Sequence, residues 1–533
     1  MIDVSDVSAH LPVWVRRRDG SQVPFEADRI CQSLFDAAES LGPANAFLIR
    51  ELTDAVLHFL AQQSWDAVPT TVGIADEIAK IVREVGQPLL ARRYVELRQQ
   101  TKKAAVKQVT IACDAAPDRF VKDCLDAYAL EAVFARDVAA AIREGLLVLR
   151  GQETPATLVS LVLQTPRLAE LPWWIALDDW RASGGDRWIV ESPEWLCTPQ
   201  MHPALTPHLC ERLLSLPTVG QRAVELHLNV AEPPRWSASP QVGPLFAHSD
   251  DEDSGQERVN FLDGLLERWK ALDTPKTAAI AWHLHARSFQ DDMQCRLLQT
   301  LVRQALLGRP IRFVFDRPNT PIPFAEGLDR KAPGVLLELG IDLLAFAQRP
   351  EIASDGVALL QKLPTLARIA VSAVAQKRDY LRALPDASPL HQRFLIERSS
   401  GSLTPLGLDE VTRAITGASL TRSPLSLDFA LKLLQTLRDA LHQAGRAIGM
   451  DLRLECPALA RVGADAPPLD KQLETAGILH ACAGAGTAML LVSDEAAANP
   501  DDLIERLRWA WQATAVTRLS LQRAAPQQGE LPI

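Results

Sequence analysis

The chain has 533 residues, enough for three or four domains of about 150 residues each. Hydrophobic residues make up 47% and charged residues 23% of it, which is typical of globular proteins and excludes disordered and fibrous classes. Its 56 basic and 66 acidic residues leave a net charge of −10. This balance argues against nucleic acid as a partner, because nucleic-acid-binding domains usually carry a basic excess.

Signals for a membrane, an export route or a metal are not found in the sequence. The longest uncharged, mostly apolar run, Ala481–Val492, is too short to span a bilayer. Residues 1–10 lack the basic and apolar segments of a secretory signal. None of the eight cysteines are paired as CxxC, so neither a disulfide framework nor a zinc ribbon is indicated. We therefore expect a cytoplasmic protein that binds no membrane and no metal.

After a tail at residues 1–11, residues 12–103 are expected to form a separate small domain. A short apolar strand at residues 13–15 leads to Asp19-Gly20, a dipeptide typical of tight hairpin turns, and residues 23–25 are the returning strand. Apolar residues at helical spacing then predict four helices, at about residues 30–41, 46–62, 71–86 and 88–100. The small domain is therefore predicted to be a β-hairpin followed by four helices.

A basic cluster, Arg16, Arg17 and Arg18, lies directly before the hairpin turn and is unusual in an acidic chain. Guanidinium groups bind phosphate oxygens in a bidentate manner, so the cluster suits a phosphate-bearing ligand. By itself, the cluster is also consistent with a solvated hairpin tip.

Five short motifs follow one another across this domain: Val15-x-Arg17-Arg18-Asp19-Gly20-Ser21, Pro24-Phe25, Arg29-Ile30, Thr71-x-x-Ile74 and Ala91-x-x-Tyr94-x-x-x-Arg98. Their order closely resembles that of an ATP-cone. ATP-cones are nucleotide-binding regulatory domains at the N-terminus of many ribonucleotide reductases and of their transcriptional repressor.

The resemblance implies that ATP or dATP is an effector of this protein. It places five residues at the nucleotide: Val15, Arg17, Arg18, Arg29 and Thr71. Two positions depart from the family pattern: Val23 stands where an acidic residue is common, and Glu26 where an Asp or Asn often meets the base. Phosphate binding is therefore better supported than the choice of base.

Residues 104–533 are expected to form one large α/β domain. Short apolar strands are predicted at residues 223–230, 277–284, 311–315, 335–339, 452–454 and 488–492, and helical segments separate them. Strands that alternate with long helices favour a largely parallel sheet or barrel.

Several segments of this domain resemble, in shared order, the class III (anaerobic, glycyl-radical) ribonucleotide reductases. They are Ala139–Gly145, Pro333–Ala345, Leu406–Gly417, Leu454–Ala458 and His480–Val492. The resemblance implies a glycyl-radical-type α/β barrel behind the ATP-cone.

The sequence shows no recognisable motif for the groups that such a reductase needs for radical chemistry. Gly529 lies in a polar tail that does not match the radical-glycine motif, and no cysteine pair has zinc-site spacing. No cysteine lies between Cys295 and Cys456, although the thiyl cysteine would be expected in the loop before Pro333. The barrel is therefore predicted to be degenerate, because the chemistry belongs to the radical and the thiol, not to the fold.

These observations favour a catalytically inactive regulatory protein that binds ATP or dATP and acts on a reductase subunit or forms a homo-oligomer. One alternative is a divergent ribonucleoside-triphosphate reductase that takes its radical from another chain and uses Cys456 or Cys482 as the reactive thiol. A second alternative, which the acidic charge and the missing zinc ribbon disfavour, is a transcriptional regulator with an ATP-cone.

Three further features have more than one interpretation. His283 and His285 on one strand, with His227 and Glu225 on another, suit either a metal or substrate site or a set of hydrogen-bonded histidines. The Gly484-x-Gly486 turn after Cys482 suits phosphate contact or close backbone packing. Five tryptophans within residues 173–195 suit a partner surface or a local core cluster.

Overall fold

The structure is a computed structural model. It describes residues 11–17, 19–63, 68–99, 124–150, 154–163, 185–196, 205–220, 223–230, 252–272, 278–318, 320, 323–329, 331–352, 355–385, 388, 390–391, 394–458, 467–492 and 499–523.

The N-terminal domain is a hairpin followed by four helices, as the sequence predicts. Strands β1 (Trp14–Arg16) and β2 (Gln22–Pro24) pair antiparallel, and Gly20 supplies the positive φ of 85° that their turn requires. The helices are α1 (Ala27–Glu39), α2 (Ala46–Ala61), α3 (Thr71–Glu84) and α4 (Pro88–Gln99). Asn45 and Thr70 cap α2 and α3, because their side chains accept hydrogen bonds from otherwise unpaired backbone amides.

Ten strands of the large domain close into a barrel. The first half contains β4 (Ser160–Leu163), β5 (Arg187–Glu191), β6 (Ala223–Leu228), β7 (Ala279–Leu284) and β8 (Ile311–Phe315), all parallel. The second half contains β11 (Gly334–Asp342), β12 (Ser399–Leu406), β13 (Asp451–Cys456), β14 (Gly484–Val492) and β15 (Arg518–Arg523), also parallel. The two halves meet antiparallel where β8 pairs with β15 and β4 with β11, and β3 (Leu147–Arg150) is added to β11.

Helices connect these strands and cover the barrel, as expected for parallel strands. They are α5 (Arg136–Arg143), α6 (Leu205–Gly220), α7 (Glu252–Ala271), α8 (Asp292–Leu306), α9 (Leu343–Ala347), α10 (Gly356–Arg382), α11 (Leu408–Thr416), α12 (Pro424–Ile448), α13 (Leu469–Ala483) and α14 (Pro500–Ala513). Of the described helices, α10 is long and apolar enough to cross a membrane by length and composition, and 61% of its most apolar window is buried inside the protein.

A short hairpin lies inside the barrel, in the connection between its two halves. It consists of β9 (Pro323–Ala325) and β10 (Leu328–Asp329), with Glu326 and Gly327 at the tip. The Gly327 amide donates to Glu455 on β13, and its carbonyl accepts from Ser400 on β12. Since Glu326 also pairs with arginines on β5 and β8, both halves of the barrel hold this tip.

The N-terminal domain packs against the barrel through α1 and α2. The Phe47 ring on α2 meets the Phe346 ring on α9 edge to face, with 5.2 Å between ring centroids. Arg50, also on α2, forms a buried ion pair with Asp137 on α5 at 3.0 Å. The two domains therefore share both apolar and charged contacts.

Candidate functional site

The strand before the basic turn lies beside the start of α3. The Arg16 amide donates to the Pro69 carbonyl at 2.9 Å, and Arg16 bridges to Thr70. Val15 pairs with Val23 across the hairpin and is buried. Continued by one residue, this parallel register places the predicted nucleotide residue Arg17 opposite Thr71, the first residue of α3.

The hairpin turn is held by local hydrogen bonds. The Arg17 amide donates to the Ser21 carbonyl at 2.8 Å, and Asp19 accepts from both the amide and the hydroxyl of Ser21. These hydrogen bonds lower the pKa of the Asp19 carboxyl. Arg17 is exposed at the turn, and Arg18 lies outside the described residues.

Arg29 lies in the first turn of α1, immediately after the returning strand. Its guanidinium donates to the Glu26 carboxylate at 2.7 and 3.1 Å, and both side chains are about half exposed. Glu26, one of the two departures from the family pattern, is therefore the partner of a predicted phosphate-binding arginine. A phosphate at this position would have to compete with a surface ion pair, which is a weak interaction.

Arg98 is a residue of this site to which the sequence motif assigned no role. It lies near the end of α4, where its guanidinium donates to the Thr71 carbonyl at 3.1 Å and lies 5.9 Å from the centre of the Tyr94 ring. Arg98 therefore fixes the start of α3 to α4. Its place in the Tyr94-x-x-x-Arg98 motif was the available signal.

The hairpin and the start of α3 form an arrangement suited to an anion. Backbone amides at a helix N-terminus have no partners within the helix, and the helix dipole places partial positive charge there. No acidic residue lies in the first turn of α3, and exposed Arg17 adds a full positive charge nearby. A phosphate group would find both hydrogen-bond donors and charge.

The barrel interior holds a network of ion pairs around the β9–β10 hairpin. Glu326 contacts Arg187 at 2.7 Å and Arg312 at 3.7 Å. Burial raises the pKa of the Glu326 carboxyl, but the arginines outweigh this effect and hold it well below its usual value. Arg518 and Glu455 form a further buried pair at 2.6 Å. The Glu326 carboxylate at the hairpin tip is therefore charged, and the neighbouring arginines neutralise its charge.

Two of the candidate histidines are hydrogen-bonded to each other. His227 Nδ1 lies 2.9 Å from His283 Nε2, and His283 Nδ1 lies 2.9 Å from an Asp316 oxygen. Burial lowers the pKa of His227 well below its usual value. Glu225 is 3.7 Å from His227, and His285 precedes a short helix at Ala286–Phe289. Within the described part of the chain, no group of three or more potential ligands could hold a metal ion.

Gly486 of the glycine turn and the Cys456 thiol are buried, whereas Gly484 is exposed and Cys482 is half-buried. A side chain at Gly486, which lies in β14, would approach the Cys456 Cβ to 2.7 Å. This crowding supports the interpretation as close backbone packing. Burial raises the pKa of both the Cys456 and the Cys482 thiol, so their reactive thiolate forms are disfavoured.

The tryptophan-rich stretch falls largely outside the described residues. Trp188 and Trp195 are described and buried. Trp173, Trp174 and Trp180 lie outside the described ranges, so the choice between a partner surface and a core cluster stays open for them.

Residues 13–103 match the protein family described as the ATP cone domain. This part of the chain is an ATP-cone. The match covers both strands, all four helices and the four predicted nucleotide residues that the structure describes. Over the whole chain, no curated protein sequence matches.

The chain is also similar to solved structures of an anaerobic ribonucleotide reductase from Thermotoga maritima. For the complex with dATP and CTP, the TM-score is 0.57, with 11% identity over 76% of this chain and 82% of that chain. For the structure with dATP bound in the specificity site, the TM-score is 0.56, with 12% identity over 94% and 93% of the two chains. The ATP-cone is thus followed by a barrel with the fold of the anaerobic ribonucleotide reductases.

Behind the ATP-cone, the loop that precedes Pro333 enters the barrel. The resemblance to the reductases implies a thiyl cysteine at this place, whereas the sequence has no cysteine in this loop and its tip carries Glu326 and Gly327.

Proposed function

We propose that this protein is a regulatory nucleotide-binding protein, which senses ATP or dATP through its ATP-cone and performs no ribonucleotide reduction of its own. The observation that carries the proposal is a contrast between the two domains. The ATP-cone has an exposed basic turn beside a helix N-terminus. The inner hairpin of the barrel instead has at its tip a carboxylate, Glu326, that is paired with two arginines.

The chemistry of the inner hairpin supports catalytic inactivity. Thiyl-radical chemistry requires a sulfur atom at the reacting position, and a carboxylate cannot replace it. Glu326 is bound to Arg187 and Arg312, so the tip is occupied by ion pairs from β5 and β8. Cys456 and Cys482 lie in β13 and α13, outside this hairpin.

The effector is expected to bind by its phosphates between the hairpin turn and α3. Val15 and Thr71 would line this site, while Arg17, Arg18 and Arg29 would contact the phosphates. A nucleotide can change the protein only by binding two of its states with different affinity. The responding state would involve a reductase subunit or a second copy of this chain, in the cytoplasm.

Calorimetric titration with ATP and with dATP tests nucleotide binding. We expect the wild-type protein to bind at micromolar concentration and an Arg17→Ala/Arg18→Ala variant to bind at least about tenfold more weakly, since each charged hydrogen bond is worth about 1.5–3 kcal/mol. Arg92→Ala is the matched control, because Arg92 is an exposed arginine of α4 that pairs with Glu96. Absence of binding to the wild-type protein would contradict the proposal.

Anaerobic assay of nucleotide reduction tests the inactive barrel. We expect no reduction by this chain alone, even when a radical-generating activase is supplied. Activity of the wild-type chain that is lost in Cys456→Ser or Cys482→Ser would instead establish the divergent reductase.

A further inference from the structure

The first turn of α1 contacts the barrel as well as contributing to the proposed nucleotide site. Arg29, predicted to meet the phosphates, pairs with Glu26. Asp28, the preceding residue, points elsewhere because consecutive helical side chains are about 100° apart. Its carboxylate accepts from Ser372 on α10 at 2.7 Å and from Arg50 on α2 at 2.8 Å.

Asp28 belongs to a charged cluster that joins the ATP-cone to the barrel. Arg50 donates a hydrogen bond from one guanidinium nitrogen to Asp28, at 2.8 Å, and from another to Asp137 on α5, at 3.0 Å. The Asp137 and Arg50 side chains are almost completely buried, whereas Asp28 is 42% exposed. One arginine thus serves two carboxylates, and Asp28 is the partner closer to solvent.

Other ion pairs between the described residues of the two domains come from other parts of the ATP-cone. Glu51 and Asp54 on α2 pair with Lys362 and Arg368 on α10, and Glu39 in the last turn of α1 pairs with Arg136 on α5. Of these contacts between the domains, the Asp28–Ser372 hydrogen bond is the one that involves a direct neighbour of Arg29, a predicted nucleotide residue.

We propose that nucleotide binding at the ATP-cone and the Asp28–Ser372 contact oppose each other. Phosphates bound at Arg29 would bring negative charge close to Asp28, whose carboxylate already shares a single cation with Asp137. The repulsion weakens the hold of Asp28 on Ser372 and loosens α10 from the first turn of α1. This inference rests on the proposed nucleotide site and names the barrel helix that responds to it.

Thermodynamic linkage turns the proposal into a measurable effect. If nucleotide weakens the Asp28–Ser372 contact, then removal of that contact must strengthen nucleotide binding by the same factor. Ser372 is suited to the test because it lies on the barrel and has no charge. Its replacement therefore alters the contact without altering the electrostatic field at the phosphates.

The experiment compares nucleotide affinity in three forms of the full chain. We expect Ser372→Ala to lower the Kd for ATP or dATP by about fivefold, the lower end of typical allosteric coupling. The matched control is Thr365→Val, which removes another hydroxyl of α10 that donates to a cone carboxylate, Asp54 on α2, at 3.5 Å. Its Kd is expected to equal that of the wild type.

Hydrogen exchange provides the reciprocal measurement. Saturating nucleotide is expected to speed amide exchange in the wild-type α10 segment around Ser372, and to leave it unchanged in Ser372→Ala. A Kd that is unchanged or raised in Ser372→Ala, or a shift equal to that of Thr365→Val, would overturn the proposed coupling while leaving nucleotide binding intact. If the wild type binds no nucleotide, the proposed function itself fails, and this inference fails with it.

Discussion

Glu194 is a buried carboxyl with an incomplete set of hydrogen bonds. One oxygen accepts from the Asn229 amide at 2.6 Å, and the other has no partner among the described residues. Burial raises the pKa of Glu194 to about 7, so the charged form is costly inside the protein. The contribution of Glu194 to the stability of the protein therefore depends on the surroundings of its carboxyl group.

Replacement of this carboxyl tests that dependence. Because the folded pKa of Glu194 lies above that of the unfolded chain, the native state keeps its proton longer, and stability falls as pH rises from about 4.5 to about 7. We expect Glu194→Gln to raise the free energy of unfolding by about 1–3 kcal/mol at about pH 8 and to give no such gain at about pH 4. Urea denaturation at the two pH values measures this.

Glu267→Gln is the control for Glu194→Gln, since Glu267 is an exposed residue of α7 paired with Lys270. It is expected to change stability by less than about 1 kcal/mol at either pH. A Glu194→Gln effect of equal size at both pH values would contradict the assignment of a raised pKa.

The β9–β10 hairpin shows how one element depends on the fit of its backbone. Gly327 has a φ of +71°, and a Cβ there would lie 2.9 Å from the Ser402 Cβ and 3.2 Å from a Val335 methyl. Glycine is thus required both for the left-handed conformation and for the close approach of β11 and β12. Contacts of the hairpin tip with β11, β12 and β13 hold it against the barrel wall.

Gly327→Ala is expected to destabilise the protein by about 2–5 kcal/mol, through backbone strain together with overpacking. Gly308→Ala separates the two effects, because Gly308 has a φ of +83° but a Cβ there would meet no atom within 4 Å. This control should cost only about 1–2 kcal/mol. Urea unfolding measures both, and equal losses would show that the hairpin is not tightly enclosed.

The molecule as a whole couples its ATP-cone to its barrel through a shared interface. Phe47 is buried against Phe346, and the cations of Arg349 and Lys362 lie 5.8 and 5.5 Å from the centre of its ring. Together with the buried Arg50–Asp137 pair, these contacts make the free energy of unfolding of the ATP-cone depend on its contacts with the barrel.

Phe47→Ala is expected to weaken this interface, since a buried phenylalanine contributes about 3–5 kcal/mol. Scanning calorimetry should show one unfolding transition for the wild type and two separate transitions for Phe47→Ala. Phe59→Ala is the control on the same helix, where the side chain is 45% exposed. A single transition in Phe47→Ala would mean that other contacts suffice to unite the domains.

Local sequence patterns predicted the ATP-cone well. Its turn is set by Asp19-Gly20 and its helices by apolar spacing, so hairpin and helices need little information from distant residues. The predicted nucleotide residues stay predictions, although the Arg16–Thr70 bridge joins the strand before the basic turn to the start of α3. The link from Arg98 to Thr71 spans 27 residues and could not be read from the motif.

The barrel was predicted less completely. Strands β6, β7, β8, β11, β13 and β14 were found close to their observed positions because each is a short apolar run. Strand β12, Ser399–Leu406, was missed because its serines and glycine are typical of loops. In the structure those serines are buried, and Ser400 donates to Gly327 from a strand far away in sequence.

The sequence by itself determined the ATP-cone, the order of the barrel segments and the lack of a cysteine in the loop before Pro333. Only the tertiary structure decided that this loop enters the barrel, that Glu326 meets Arg187 and Arg312 there, and that Asp28 connects the ATP-cone to α10. The physical reason is the separation along the sequence between the residues that determine each feature. Hairpins and helices follow from neighbouring residues, whereas buried charges are stable only where distant residues of opposite charge are brought together.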